Sequence, residues 1–436
     1  MKAKALLLFI SFACAPTFDS FGQVDCTTST KLICQLPVTS SVLNPIGGAS
    51  ASNAAQRASS SINASIGAQL TQLPIPSATV GVVSLRQKGS DVGVPFENLG
   101  PVLTDRPDTV GKGHLFVGFS YQHFNFNAVD GISLGSFPVY FNFSQPSPFN
   151  PNDTQTFYGG ENNKVGFQLD QYLAMAVFGL TRKSDLSVVV PINSTSLRVT
   201  SSNFQAYLFD SSSGLYSNES LPAGTTISTK GTANGVGDVI VNFKQMLLGG
   251  EGSRPAISAG ASFRFRNGDA LNYLGSGAYG GNLYGLFEYR ARVAPHLKLS
   301  YQWNGVSQIV NLQESPNTRL PGGLQYDAGA DLKVIRSLTV AGDILGSQFV
   351  NMPSLALTTV TLKPVPASTS NVPASYTTVS PLNNSYATVN ISGGLKWSPI
   401  PHFLVYGNVM KQANNTGLRS DLVPLFGIAY NFKAAK

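Results

Sequence analysis

The feature that most constrains the fold is a regular alternation of apolar and polar side chains along strand-length segments. Between Gly237 and Gly268, for example, Phe263 and Phe265 alternate with Arg264 and Arg266. Successive side chains of a β-strand point to opposite faces, so this pattern predicts strands with one apolar and one polar face. Such strands occur both in soluble antiparallel sheets and in membrane barrels.

Twelve segments with this alternation follow residue 113, and the connections between them are alternately short and long. The segments cover 114–126, 165–178, 185–194, 282–293, 296–305, 323–335, 338–349, 385–397, 402–412, 422–432 and two strands within 237–268. The short turns read "GLTRKSD", "GGEGSR", "APH", "IRS" and "PIPH", and the long loops cover 127–163, 201–235, 268–280, 308–321, 350–384 and 413–421. An even number of strands with short turns at one end and long loops at the other is typical of outer-membrane barrels.

The composition favours a membrane barrel over a soluble sheet. Only 12% of the residues are charged, against the ~25% that is usual in soluble domains. No segment approaches the ~20 apolar residues of a membrane-spanning helix. Five aromatic residues on the apolar faces fit the interfacial aromatic girdle of a barrel: Tyr289, Tyr301, Trp303, Trp397 and Tyr430. We therefore predict an all-β fold, a transmembrane antiparallel β-barrel of about 12 strands.

In such a barrel the apolar face of each strand meets lipid and the polar face lines the lumen. Phe263 and Phe265 are accordingly expected to face lipid, and Arg264 and Arg266 the lumen. In segment 165–178 the same rule places a complete apolar face against lipid, namely Val165, Phe167, Leu169, Leu173, Met175 and Val177.

The N-terminal part of the chain differs from the barrel region. Residues 1–22 read as a signal peptide because Lys2 and Lys4 precede the apolar run "ALLLFISFA". We predict a periplasmic or plug-like N-terminal segment at 23–112, the barrel at 113–432 and a short tail at 433–436. A modest helix is expected around 53–70. Export to the bacterial outer membrane follows from these assignments.

The cysteines are all near the N-terminus. Cys14 lies within the signal peptide, and the bulky Phe12 before it disfavours lipid attachment. Cys26 and Cys34 would meet in an oxidising compartment, where a disulfide between them is expected. Two free thiols are the alternative.

Three stretches carry a resemblance to a known family. They are "DQYLAMAVFGLTRKSDLSVVVPI" (170–192), "GVGDVIVNFKQMLL" (235–248) and "PLFGIAYNF" (424–432). With them, residues 113–432 resemble the outer-membrane transporters of the meta-pathway of phenol degradation, which are distantly like long-chain fatty-acid channels. The resemblance implies a barrel that passes small, often hydrophobic compounds. The sequence departs from the family at "RNGDALNYLG", where a Pro-Thr-Gly turn often follows the strand, and in the "KAAK" after Phe432.

The charged residues on the polar faces are the candidate functional residues, because they would line the lumen. They would either create a transverse electric field that selects solutes or form a structural ladder of ion pairs. The candidates are Lys244, Arg264, Arg266, Glu288, Arg290, Arg292, Lys298, Asp327, Asp331, Lys333 and Asp343.

The sequence offers no chemistry for catalysis. The four histidines are His114, His123, His296 and His402; three lie at predicted strand starts, where interfacial positions are expected, and no GxSxG motif is present. We predict no enzymatic activity, no catalytic residues, no cofactor and no metal site. The basic residues are scattered, which does not favour nucleic-acid binding.

The predicted function is an outer-membrane channel for passive uptake of small solutes, including hydrophobic or aromatic compounds. The alternative is a non-transporting barrel anchor that displays surface loops for adhesion. The expected partners are outer-membrane lipid, the small-molecule solute and, during biogenesis, the barrel-assembly machinery.

Overall fold

The computed structural model describes residues 29–36, 59, 62–74, 86–87, 90–94, 99–146, 152–211, 213–218, 220–249, 255–307, 309, 319–361 and 375–432. The predicted signal peptide, Cys26 and the tail at 433–436 lie outside these residues, as do residues 53–58 of the expected helix. Residues 62–70 are helical. No helix in the described part of the chain is long and apolar enough to cross a membrane.

Within the described residues, twelve long strands form one closed antiparallel barrel. The strands are β1 (Leu115–Val129), β2 (Thr154–Gly179), β3 (Ser184–Asp210), β4 (Thr226–Val236 and Ile240–Leu248), β5 (Pro255–Arg264), β6 (Gly280–Tyr289), β7 (Val293–Asn304), β8 (Gly323–Ile335), β9 (Leu338–Thr361), β10 (Ser375–Trp397), β11 (Phe403–Gln412) and β12 (Val423–Phe432). Each strand pairs with the next, and β12 closes the barrel on β1 through pairs such as Phe432 with Leu115. The predicted fold and strand number are confirmed.

Four strands are much longer than the sequence pattern indicates. β2, β3, β9 and β10 have 26, 27, 24 and 23 residues and continue past the barrel at the long-loop end. Much of the loops expected at 127–163, 201–235 and 350–384 is therefore sheet, because Thr favours strands and backbone pairing here extends a ladder that is already formed. Short strands at Ile132–Ser133, Phe137–Pro146, Tyr216–Asn218 and Leu418–Ser420 join the same sheet, and Arg86–Gln87 pairs separately with Ser90–Val94.

One turn was misplaced by the sequence pattern. The turn expected at "APH" (294–296) lies at 290–292 instead, and 294–296 is part of β7. The sequence "RAR" (290–292) fits a strand pattern as well as a turn, so alternation alone does not mark the end of β6.

The outer face of the barrel is an apolar belt. Phe263 is 43% exposed and its neighbours in the cross-strand row include Trp303, which is 42% exposed. The five aromatic residues predicted for the girdle, Tyr289, Tyr301, Trp303, Trp397 and Tyr430, are all exposed. A closed barrel satisfies every backbone group internally, so an apolar outer belt can face lipid. The protein is an integral barrel of the bacterial outer membrane.

The inner face is apolar on one side, which the sequence pattern did not predict. Phe124, Phe126, Phe167 and Leu173 on β1 and β2 point inward and are at most 3% exposed. The expectation that the apolar face of segment 165–178 meets lipid is wrong: Val165, Phe167, Leu169, Leu173, Met175 and Val177 are all buried. Lipid instead meets the other face, for example Tyr172. The physical reason is that apolar side chains from the N-terminal segment pack against this wall.

That packing forms the core of the molecule. The inner walls of β1, β2, β11 and β12 share one cluster of buried apolar residues with the N-terminal segment. The contributions of the N-terminal segment are Leu32, Ile33, Leu36, Ile62, Ile66, Leu99, Val102, Leu103 and Val110. Residues 29–36, 62–74 and 99–110 of this segment therefore lie inside the barrel.

Candidate functional site

The short-turn end of the lumen contains a buried ion-pair network around Arg106, which belongs to the inserted stretch 99–110. The Arg106 side chain donates from Nη2 to Glu288 Oε1 (2.7 Å) and from Nε to Glu288 Oε2 (3.2 Å). Asp108 Oδ2 lies 3.3 Å from the same Nη2, and Arg290 pairs with Asp108 from the turn after β6. Burial alone would lower the pKa of Arg106, but the carboxylates of Glu288, Asp108 and Asp331 outweigh it and raise that pKa. The guanidinium therefore stays charged inside the protein.

The same stretch is bound by several other strands through its backbone. Lys244 Nζ on β4 donates to the carbonyl of Arg106 (2.8 Å), and Ser258 on β5 donates to that of Pro107 (2.6 Å). On the opposite wall, Lys396 Nζ on β10 donates to the carbonyl of Leu99 (3.3 Å). These contacts span the barrel, so residues 99–110 form a plug across its short-turn end.

A second polar cluster lies beside this plug. His296 on β7 is buried between two carboxylates, with Nδ1 3.2 Å from Asp331 and Nε2 2.6 Å from Asp343. Thr104 of the plug donates to Asp343 (3.4 Å). Each ring nitrogen thus lies within hydrogen-bond distance of a carboxylate oxygen, and the imidazole bridges the two acids. His296 was expected at the membrane interface, and that expectation is wrong because its strand begins earlier than predicted.

The long-loop end of the lumen is occupied by residues 29–36 and 62–74. Lys31 Nζ pairs with Asp269 Oδ2 (2.6 Å) in the loop after β5, which folds inward. Asn63 joins the two inserted stretches to this loop, since it donates to the carbonyl of Ile33 (2.6 Å) and accepts from the Tyr273 hydroxyl (3.0 Å). Cys34 is disulfide-bonded to a partner outside the described residues, so pairing with Cys26 stays a prediction.

A cavity of about 220 Å³ lies inside the barrel between the two occupied ends. Its wall consists of residues 71–74, Leu103, Asp105 and inward side chains of β3 to β10. Arg264 donates to Asn304 Oδ1 (2.8 Å) and lies 3.8 Å from Asp238, and Lys298 pairs with Asp327 (3.4 Å). The wall thus contains many polar residues and charges of both signs.

Three buried polar atoms of this wall have no hydrogen-bond partner in the described part of the protein. They are Nε of Arg264, Oδ1 of Asn282 and Oε1 of Gln72. A buried polar atom without a partner costs about 1–3 kcal/mol. These atoms lie behind the surface of the wall, and Arg264 Nε is 3.8 Å from Asp238 Oδ2.

A smaller space of about 40 Å³ adjoins this cavity and has a different wall. It shares Gln72, Leu73, Pro74, Thr388 and Asn390 with the larger cavity, and its remaining wall is largely apolar. Its apolar residues include Phe124, Phe126, Phe349, Met410, Leu418 and Val423. The lumen thus combines a polar compartment with an apolar one.

The predicted lumen residues lie in different parts of the protein. Glu288, Arg290, Lys244, Asp331 and Asp343 contact the plug or the His296 cluster, whereas Arg264, Lys298 and Asp327 line the cavity. Lys333 lies half-buried at the short-turn end of β8.

Two of the predicted lumen residues do not line the lumen. The Arg266 guanidinium lies 5.1 Å from the ring centroid of Tyr279, which stacks on the lipid-facing Phe263. Arg292 is exposed in the turn between β6 and β7. Both lie beyond the end of a strand, where the alternation of faces no longer applies.

Sequence reasoning missed the inserted partners of the lumen charges. Arg106, Asp105 and Asp108 are all at most 9% exposed. Their signal was available, since "DRPD" (105–108) is a dense group of charges in a chain that is only 12% charged. Lys396 was also missed, although it alternates with Trp397 and Leu395 on β10.

The four histidines do not form a shared centre. His123 Nδ1 on the outer face of β1 lies 2.7 Å from Asp170 Oδ1, which also accepts from the Tyr121 hydroxyl (2.6 Å). Ser120 points to the opposite, inner face and is buried. Among the described residues, no group of three or more His, Cys, Asp or Glu could hold a metal ion.

No protein-family model and no curated protein matches this sequence. Among solved structures, the chain is similar to an outer membrane channel from Pseudomonas putida F1, with 12% identity, 76% of this chain and 100% of that chain covered, and a TM-score of 0.41. It is also similar to the TodX deltaS2S3 mutant monoaromatic hydrocarbon channel (12% identity, 77% and 95% covered, TM-score 0.34) and to the NanC porin (9% identity, 67% and 98% covered, TM-score 0.32). Likenesses at these values are too low to transfer a function to this chain. The likeness to the phenol meta-pathway transporters stays a resemblance of short stretches.

Proposed function

We propose that this protein is an outer-membrane channel for passive entry of small solutes, and that its central cavity is a position that a solute occupies on the way through. The observation that carries this proposal is the cavity of about 220 Å³, whose wall contains polar residues and charges of both signs. A solute with hydroxyl, amide or carboxylate groups would form hydrogen bonds with this wall.

The two compartments support a solute that is part polar and part apolar. The polar groups would contact Arg264 and Asn282, and a small apolar group, such as a ring, would approach Phe124 and Phe126. Hydrophobic or aromatic solutes, which the family resemblance implies, agree with the apolar compartment. The larger, polar compartment favours members of that class that also carry hydrogen-bonding groups.

The plug supports a second candidate, a barrel anchor that does not transport. Residues 99–110 cross the short-turn end, and Arg106 and Glu288 are at most 4% exposed. For a channel, this stretch must move aside or leave a narrow path. For an anchor, it would simply seal the lumen.

Solute entry into liposomes separates the two candidates. The reconstituted protein would be compared for swelling in a hydroxylated aromatic solute, the parent aromatic and a sugar of similar size. A channel of the proposed class admits the hydroxylated aromatic fastest. Asn282→Leu narrows the cavity and removes a polar side chain from its wall, so it should slow this entry several-fold.

The matched control is Asn234→Leu, which alters an exposed asparagine on β4. It should leave entry unchanged, and heat-modifiable gel migration checks that both variants fold. Absence of flux for every solute, in the wild type and after Arg106→Ala, would favour the anchor.

A further inference from the structure

Three cations lie close together on the outer face of the barrel, beyond its lipid belt. They are Lys164 on β2, Arg198 on β3 and Lys230 on β4, and all three are exposed. Arg198 lies directly opposite Lys230 in the sheet. Lys164 lies opposite Thr200, two residues along β3 from Arg198 and on the same face. We call these residues the outer cationic patch.

No acidic side chain among the described residues neutralises the outer cationic patch. In the part of the chain that the structure describes, none of its three residues forms an ion pair. Like charges directly opposite each other destabilise an antiparallel pair. An anion placed between Arg198 and Lys230 would turn this repulsion into attraction.

The position of the membrane boundary on these strands can be read from two adjacent cross-strand rows. The lower row is apolar and contains Tyr121, Tyr172, Ile192 and Val236. Its two tyrosine rings lie 5.1 Å apart, as expected for an interfacial girdle. The next row is polar and contains His123, Asp170, Ser194 and Asn234. The hydrocarbon therefore ends between these rows.

The outer cationic patch lies a short distance above this boundary. Arg198 is four residues beyond Ser194, Lys230 four beyond Asn234 and Lys164 six beyond Asp170. At about 3.3 Å per residue, these positions lie about 13–20 Å along the strands. Because barrel strands tilt by about 40°, the height above the hydrocarbon is about 10–15 Å. Lipid headgroups occupy this zone.

The surface around the patch is open to such a headgroup. Gly166 lies opposite Arg198 on the other side. A Cβ at residue 166 would meet only the carbonyl and Cβ of Arg198, at 3.8 and 3.9 Å. A planar guanidinium can therefore be approached from this side and can bind a phosphate through two parallel hydrogen bonds.

We infer that the outer cationic patch binds the phosphate groups of a glycolipid headgroup in the outer leaflet, that is, a phosphorylated lipopolysaccharide. The patch continues the lipid-facing surface upward on the same three strands, so its ligand is a lipid whose acyl chains lie against Tyr172 and Ile192. A dissolved anion has no acyl chains, so it would not contact the lipid-facing surface below the patch. This inference does not depend on the channel function.

Thermal stability of the reconstituted full-length protein tests the inference. Lipopolysaccharide added to phosphatidylcholine vesicles should raise the heat-modification midpoint of the wild type. In the triple variant Lys164→Gln, Arg198→Gln, Lys230→Gln this rise should fall by about half or more, since anionic headgroups act through such basic residues. Dephosphorylated lipopolysaccharide should give no rise in either protein.

The matched control is Lys411→Gln, which removes an exposed cation on the outer face of β11, away from the patch. It should keep the full effect of lipopolysaccharide. An equal rise in wild type and triple variant would overturn the proposal, as would a rise produced by inorganic phosphate alone, which would identify a soluble ligand. Arg198→Gln alone gives a milder variant whose rise should be intermediate, so the comparison holds even if the triple variant folds poorly.

Discussion

The Arg106 guanidinium contacts both carboxylate oxygens of Glu288 although the two residues are 182 positions apart in the sequence. Both side chains are nearly inaccessible to solvent. The contact joins the stretch before the barrel to the end of β6. It therefore fixes where the plug lies along the barrel axis and which strands it meets.

Removal of the Arg106 charge should destabilise the protein strongly. Arg106→Ala removes the cation that pairs with the buried carboxylates of Glu288 and Asp108. Breaking a buried ion pair in this way costs about 3–5 kcal/mol. Guanidinium unfolding of the reconstituted barrel measures this loss. Arg292→Ala, which removes an exposed arginine in the turn after β6, should change the stability little. Equal stability of the two variants would contradict the buried network.

The assignment of the β1 faces can be tested with brominated lipids. Phe119 is 44% exposed on the outer face, whereas Phe124 is 1% exposed on the inner face. In a background with Trp303→Phe and Trp397→Phe, the fluorescence of Phe119→Trp should be strongly quenched by brominated acyl chains. Phe124→Trp should be protected from quenching. Strong quenching at position 124 and weak quenching at position 119 would mean that the faces are reversed.

The orientation of the barrel predicts which connections a protease reaches on intact cells. A cleavage site inserted after Gly214 lies in the exposed connection beyond β3, and one inserted after Arg182 lies in the turn between β2 and β3. Long connections of outer-membrane barrels face outward. The first protein should be cut on intact cells and the second only after the outer membrane is permeabilised. Cleavage of the second alone would invert the topology.

Neighbouring residues of β5 should respond differently to substitution. Phe263→Arg places a charge among lipid chains, at a cost of about 2–4 kcal/mol near the membrane midplane and less towards the interface. Arg264→Gln keeps a donor for Asn304 Oδ1. Asp238 loses its counter-charge 3.8 Å away but keeps the hydrogen bonds from the backbone N–H groups of Gly268 and Ser276. Heat-modifiable migration should show a folding defect in the first variant alone. The second should fold and, if the pore conducts, shift its ion selectivity towards cations.

The barrel itself could be predicted from the sequence because the pattern that indicates it lies within single strands. Alternation along β5 and β7 reports directly on lipid at one face, and the aromatic residues Tyr301 and Trp303 mark where that lipid ends. Alternation does not mark every strand end, since the arginines at 290 and 292 suit a turn and a strand equally well. Strand extensions beyond the membrane carry no apolar face, so polar β2 and β9 residues read as loops.

The interior could not be predicted because its cause is non-local. The apolar side chain of Phe167 can point into the lumen because Tyr273 and the inserted stretches pack against it. The sequence of its own strand does not reveal these partners. The same holds for Glu288, whose role depends on Arg106. Where a chain segment lies inside a barrel, the part of the lumen wall that it contacts becomes a hydrophobic core. The rule of a polar lumen then fails on the walls that this core touches.

The apolar inner wall has a consequence for how the chain reaches its folded form. If β12 paired with β1 before residues 62–70 and 99–110 were inside, Phe124, Phe126 and Phe167 would line a water-filled tube. Water would then contact the apolar surface that forms the core of the folded protein. We therefore expect residues 62–70 and 99–110 to lie against the inner wall before β12 pairs with β1.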